Sequence, residues 1–283
     1  MRDKLFSRDE ILRQEIDTLK RRLRAKLGGY VVAIREAVAG NLFYRGVHCD
    51  VLPLTISRIS FPPSAMVTKL GRLNRVGTSM FYCTLGEPPV FYELRAKPGD
   101  RVALSEWELT EPLWMHSLGF HDDALRQIGT PIAGRRARMT NPIPNESRFN
   151  HALRRKLSLA MAAEVSETDL RYYKLTIAIN ELLFDSATSI PITGGGPRHD
   201  RAAGTVYPSL QMRGRADNVA LLPEFVKSSL RIKSVKYVLV ESVDEAQAQY
   251  SVRTLRNAST FDGDTIVWGE QLPDEDTRRH SVT

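Results

Sequence analysis

A small set of polar side chains sits in otherwise strand-like or turn-like segments of this chain: Arg45 in FYRGV, Arg72 and Asn74 in GRLN, Tyr82 in FYC, Glu93 in FYEL and Ser209 in YPSL. Each has an ordinary explanation when read alone. Arg45 suits a surface strand, Arg72 a turn, Glu93 a solvated helix, Tyr82 a core position with its hydroxyl tied off, and Ser209 a turn after proline. Familiar catalytic patterns are missing around them. There is no GxxxxGK[ST] phosphate loop, no HExxH, no GxSxG elbow and no GxGxxG following a strand. The triple glycine Gly194 to Gly196 lacks the lysine and hydroxyl of a nucleotide cradle and reads as a loop. His116 and His121 are too far apart in phase to put two metal ligands on one helical face, so metal catalysis is not indicated. A net charge of +7 permits an anionic partner, whether nucleic acid, membrane or phosphorylated small molecule, without choosing among them.

Taken together and in order, these segments resemble the RES-domain family, named for its recurring arginine, glutamate and serine. FYRGV, GRLNRVG, SMFYCTL, VFYELRA and GTVYPSLQM follow one another as they do in that family, NVALLPE lies downstream, and the likeness runs from Leu42 to Glu241. Leu73 stands where an aromatic residue is usual. RES proteins are similar in fold to ADP-ribosyltransferase toxins. The resemblance therefore implies an NAD-degrading enzyme, a glycohydrolase or phosphorylase that cleaves the nicotinamide–ribose bond, acting as a toxin controlled by an antitoxin partner.

It also implies that Arg45, Arg72, Tyr82, Glu93 and Ser209 converge on one cleft. Glu93, Arg45 and Ser209 would be catalytic, and Arg72, Tyr82 and Asn74 would bind substrate. NAD is the substrate, inorganic phosphate a candidate co-substrate, and no cofactor is expected. The residue types suit that task. A guanidinium grips a pyrophosphate through paired, charge-assisted hydrogen bonds. A carboxylate near the ribose stabilises the oxocarbenium-like charge that builds as the bond breaks. Tyr82 offers a face for the nicotinamide ring, and Ser209 a hydroxyl for the ribose or the acceptor. Nicotinamide leaves from a cationic ring, so the lack of a histidine general acid is no obstacle. Two other readings stay open: ADP-ribosyl transfer to a macromolecule, and a non-enzymatic basic protein binding nucleic acid through Lys20 to Arg24 and Arg135 to Arg138.

The elements that must hold these residues are partly readable. Ser7 and Glu10 form an S-x-x-E capping box and Gly28-Gly29 a stop, which predicts a helix over 8–27 with Leu12, Ile16, Leu19, Leu23 and Leu27 as its apolar stripe. That stripe packs on the chain's own body or docks a partner or a second copy. LFYRGVH, SMFYCTL and RVALSEWEL read as strands and VFYELRA as a short helix carrying Glu93. Ser147 to Val165 and Thr168 to Asp185 read as helices, with Ser166 and Asp169 capping the second. Gly134 to Asn145 and PITGGGPRHDRAAG read as loops, and TVYPSLQM, VKYVLVE, QYSVRTL and DTIVWGE as strands.

Strands, then helices, then strands give an α+β class with a mixed sheet, in the manner of ADP-ribosyltransferase toxins. The expected organisation is an N-terminal helical extension over 1–40, a catalytic domain over 41–270 with a helical insertion at about 111–190, and a disordered polar tail over 271–283. The 283 residues suffice for a substantial core, and no apolar run of membrane-spanning length occurs. The N-terminus lacks a secretory signal, so a cytoplasmic location is expected. Cys49 and Cys83 carry no metal or disulfide spacing and read as two buried thiols.

Overall fold

Capping chemistry at the N-terminus forms as expected, but the helix behind it breaks. In the computed structural model, which describes residues 5–138, 146–166, 168–185, 201–244, 249–270 and 277–281, the helices are α1 (Arg8–Arg13), α2 (Ile16–Lys26), α3 (Ile56–Ile59), α4 (Glu87–Leu94), α5 (Asp122–Gln127), α6 (Ile132–Arg138), α7 (Arg148–Met161), α8 (Tyr173–Asp185) and α9 (Pro223–Ser229). The strands are β1 (Ile34–Ala37), β2 (Leu42–His48), β3 (Phe81–Thr84), β4 (Arg101–Leu109), β5 (Leu113–Ser117), β6 (Gly204–Pro208), β7 (Asp217–Leu221), β8 (Leu230–Asp244), β9 (Gln249–Ala258), β10 (Thr260–Asp262), β11 (Thr265–Val267) and β12 (Thr277–Ser281). The class is α+β with a mixed sheet, since β5 and β6 run parallel while the neighbouring pairs run antiparallel. Among the described residues no helix is long and apolar enough to cross a membrane.

The single helix expected over 8–27 is replaced by α1 and α2, because Gln14 and Glu15 take extended backbone. Ile11 and Ile16 are both buried. Five residues apart, they would point about 140° from each other on one unbroken helix, and the break turns both inward.

Two compact units emerge, each assembled from separate stretches of chain: Met1–Ala37, Pro63–Met80 and Pro112–Leu222 form the first, and Val38–Pro62, Phe81–Glu111 and Pro223–Thr283 the second. The expected layout of extension, catalytic domain and insertion is thus not how the chain divides. The N-terminal helices and the helical middle belong to one unit, because α2 packs against α8. Leu19 and Leu23 are fully buried, and the polar flank is tied down by Lys20–Asp185 (2.8 Å) and Arg24–Asp185 (3.1 Å). The apolar stripe of α2 is spent inside the chain, which removes it as a surface for docking a partner.

The first unit carries the strand order β1-β5-β6-β7, with β5 and β7 being strands that the pattern of the sequence did not disclose. The second carries β3-β2-β4-β8-β9-β12 and the small hairpin β10–β11. Alternation along β4 sends Val102 and Leu104 into a core with Val90 and Phe91 of α4, and Ala103 into a core on the other face with Ile59 and Val235.

Two further expectations change. Ile132 to Arg138 is helical, so the loop expected from Gly134 does not begin there, and 139–145 lies outside the described residues. Residues 277–281 pair antiparallel with β9 instead of forming a disordered tail. The glycine loop at Gly194 to Gly196 also falls outside the described residues.

Candidate functional site

Arg45 lies in the middle of β2 in the second unit, as its aromatic and β-branched surroundings predict. Its Nε donates to the carbonyls of Ile59 (3.2 Å) and Ser60 (3.1 Å), its Nη1 donates to the carbonyl of Tyr82 (2.7 Å), and the guanidinium stands 5.3 Å from the centre of the Phe81 ring. No carboxylate among the described residues pairs with it. Burial pulls its pKa down to about 10, which leaves it cationic at neutral pH.

Arg72 of the first unit is held in the same manner. Its Nη1 donates to the Met161 carbonyl (2.9 Å), its guanidinium lies 5.2 Å from the centre of the Tyr173 ring, and no carboxylate among the described residues reaches it. The contrast with Arg75, three residues on, is sharp. Arg75 is neutralised by Glu181 (2.6 Å) and Asp17 (2.8 Å), which clamp the GRLN loop to α8 and α2.

Three polar residues that the sequence did not single out build the loop behind Arg72. Thr176 donates to the Arg72 carbonyl, Asn180 donates to the Leu73 carbonyl (3.0 Å), and Thr205 of β6 donates to Asn180 Oδ1 (2.7 Å). Asn180 is a signal that could have been found: a carboxamide inside the apolar run TIAINELL asks for a purpose. Asn74 donates both amide hydrogens inward, to Thr78 (2.8 Å) and Arg75 (3.2 Å), so its donors organise the turn.

Ser209 is fully buried and also builds a turn. Its hydroxyl accepts from the Met212 amide (3.0 Å), its own amide donates to Ala216 (2.9 Å), and its carbonyl accepts from Gly214 (2.7 Å). The residue before it, Pro208, packs beside Met161 at Gly119. Gly119 adopts φ +91°, and a Cβ there would sit 2.7 Å from Pro208 Cδ and 3.5 Å from Met161 Cβ. The segment bearing Ser209 and the residue whose carbonyl holds Arg72 therefore meet at a point where only glycine fits.

In the second unit the expected residues divide. Tyr44 pairs with Thr84 across β2 and β3 and packs in the core beneath α4, so Tyr82, two residues before Thr84, belongs to that same face. Glu93 lies on the exposed side of α4. Gly46 points at α4, because a Cβ there would lie 2.4 Å from Val90 and 2.7 Å from Leu94. Arg45, its neighbour in β2, therefore projects to the opposite face, toward α3 and Phe81. Arg45 donates to the backbone carbonyl of Tyr82, and the helix carrying Glu93 lies across the strand from it.

Cys49 and Cys83 are buried free thiols, as expected. Among the described residues no three His, Cys, Asp or Glu side chains gather in a way that could hold a metal ion. In the basic stretches, Arg22 pairs with Glu10 (2.8 Å) and Arg135 with Asp122 (2.9 Å). Compared with protein-family models, curated proteins and solved structures, the chain matches none.

Proposed function

We propose that the chain is an NAD-consuming enzyme that cleaves the nicotinamide–ribose bond with water or inorganic phosphate as acceptor. One observation carries the anionic part of this reading. Arg72 is a cation with no carboxylate partner among the described residues, whereas Arg22, Arg24, Arg75 and Arg135 are all paired. A partly buried guanidinium left without a counter-charge is suited to an anionic ligand. The ordered run from FYRGV to YPSL supports NAD as the source of that anion.

The division of faces modifies the roles. Arg72, which no carboxylate among the described residues reaches, is suited to an anionic group within the first unit. Arg45 acts as a positioning residue, fixing the Tyr82 carbonyl so that the Tyr82 ring and Glu93 share the face on which the ribose would be attacked. Glu93 stabilises positive charge on the sugar as nicotinamide departs. Control by an antitoxin belongs to the same proposal and rests on the resemblance alone. Of the basic side chains the nucleic-acid alternative would use, Lys20, Arg22, Arg24 and Arg135 are engaged by Glu10, Asp122, Glu181 and Asp185.

The test is direct. Purified protein mixed with NAD releases nicotinamide, mass spectrometry with and without phosphate identifies the ribose product, and Glu93→Ala abolishes release while remaining folded. Unchanged release in Glu93→Ala removes Glu93 from the mechanism, and no release by the unaltered protein ends the reading.

A further inference from the structure

Helix α5 of the first unit starts on a histidine. The capping position of a helix usually carries Ser, Thr, Asp or Asn, whose side-chain oxygen accepts from the first turn. Here His121 takes that place: its Nδ1 accepts from the Asp123 amide (3.2 Å), and its carbonyl accepts from the Leu125 amide (3.0 Å). A backbone N–H can only donate. Nδ1 must therefore be bare, which fixes His121 as the neutral ring with its hydrogen on Nε2. The residue is only 6% exposed.

The turn that His121 caps is the one that ties α5 to its neighbours. Asp123 pairs with Arg155 of α7 and with Arg126 (3.2 Å), while Asp122 pairs with Arg126 and with Arg135 of α6 (2.9 Å). At its far end α5 reaches α7 again, where Gln127 donates to the Ala162 carbonyl (3.3 Å), next to the Met161 carbonyl that holds Arg72. Helices α6 and α7 are thus joined through the first turn of α5.

The surroundings of His121 resist a proton. His151 of α7 meets the ring edge-on, 5.0 Å between centres, Arg154 and Arg155 of α7 add positive charge, and Asp123 supplies the opposing negative charge. Glu146 faces His151 and pairs with Arg154 (2.8 Å). Burial first, and then Arg154, hold the His121 pKa below the usual histidine value. Once the imidazolium forms, both nitrogens carry hydrogens, and no rotation of the ring offers the Asp123 amide an acceptor.

We infer that His121 is an acid-sensitive latch, in which a proton on the ring ends the cap of α5 and loosens that helix from α6 and α7. The sign follows from the neutral ring being the form the fold holds. The cap is present in full above the ordinary histidine pKa of 6.5 and is lost as the pH falls, because the unfolded turn takes up the proton more readily.

Hydrogen exchange of the full chain between about pH 7 and about pH 4.5, corrected for the intrinsic pH dependence of amide exchange, tests this. The α5 amides of the unaltered protein lose roughly tenfold in protection over that range, the size of a lost cap. His121→Asn supplies a carboxamide oxygen that accepts at both ends of the range, so its α5 protection stays level. His116 and the carboxylates titrate in both chains and cancel in the comparison. Unchanged protection of α5 in the unaltered protein, or an equal fall in His121→Asn, overturns the inference. Imidazole nitrogen NMR of the unaltered protein gives a second measurement that needs no variant. At about pH 7 the His121 hydrogen is expected on Nε2, and finding it on Nδ1 overturns the latch outright.

Discussion

Gly46 and Val90 meet with no room for a side chain between them: a Cβ on Gly46 would lie 2.4 Å from Val90 Cγ1, with Leu94 Cδ1 next at 2.7 Å. The absence of that one carbon lets α4 lie directly on β2, and α4 carries Glu93. The same contact fixes which face of β2 is which, and so sets Arg45 on the other side.

Gly46→Ala is therefore expected to lift α4 and to cost about 2 kcal/mol of stability, the usual penalty for overpacking a filled layer. Val90→Ala placed in the same chain recovers a large part of that loss, because the atom that clashes has gone. Urea unfolding of the two single variants and the double variant measures the coupling. Strictly additive losses would show that the contact is not the cause. Nicotinamide release by Gly46→Ala falls further than its folded fraction, since the position of Glu93 has moved.

Arg45 holds the carbonyls of Ile59, Ser60 and Tyr82 with a single fork. Lysine keeps the charge but offers a point donor in place of the planar fork, so Arg45→Lys leaves at least one of these carbonyls without its donor. The expected loss is about 1–3 kcal/mol, the cost of an unsatisfied buried acceptor. Because Arg45 works on Tyr82 from behind, kcat for nicotinamide release drops while KM for NAD changes little. A rise in KM with kcat preserved would instead make Arg45 a direct substrate clamp.

How much of this arrangement the sequence discloses depends on the range of the interactions involved. The capping box at Ser7, the strand around Arg45, the helix bearing Glu93 and all of RVALSEWEL are local patterns, and they were legible. The break at Gln14 was not, because the reason for it is that Ile11 and Ile16 must both face inward. Strand β7 was hidden because DNVAL is buried along most of its length and shows no alternation. Face assignment was invisible for a related reason. Arg45 and Tyr82 are both strand residues in an aromatic context, and only the register of β2 against β3, with Gly46 under α4, shows that they point apart.

Asn180 joins the sheet to the GRLN loop, accepting a hydrogen bond from the Thr205 hydroxyl and donating one to the Leu73 carbonyl. Asn180→Leu retains the volume but strands the Leu73 carbonyl and the Thr205 hydroxyl in a dry layer. A loss of about 2–4 kcal/mol is expected for two groups left unpaired. The double variant Asn180→Leu with Thr205→Val restores one of the two mismatches and should regain roughly 1 kcal/mol. Guanidinium unfolding of the pair decides this. If Asn180→Leu is neutral, the loop is held by Arg75 and Thr176 without it.

His116 supplies a prediction in pH. It is 4% exposed, lies 5.0 Å from the Phe184 ring, and its Nδ1 has no partner, so burial holds the imidazole neutral and lowers its pKa from 6.5 to about 4. As acid is added, the unfolded chain takes up the proton near its ordinary pKa while the folded chain resists until about 4. Protons are thus bound preferentially by the unfolded state in that interval, and stability falls as pH falls. The contribution is fully present above about 6.5 and has declined by about 3 kcal/mol once the pH nears 4. His116→Leu removes the titrating group, so its stability should change less between pH 7 and 4.5 than that of the unaltered protein. Carboxylates such as Asp123 and Glu146, whose ion pairs lower their pKa, act in both proteins at still lower pH and cancel in the comparison. Parallel pH profiles for the two proteins would mean that His116 is protonated in the fold at no cost, and that its Nδ1 finds a partner the packed layer does not show.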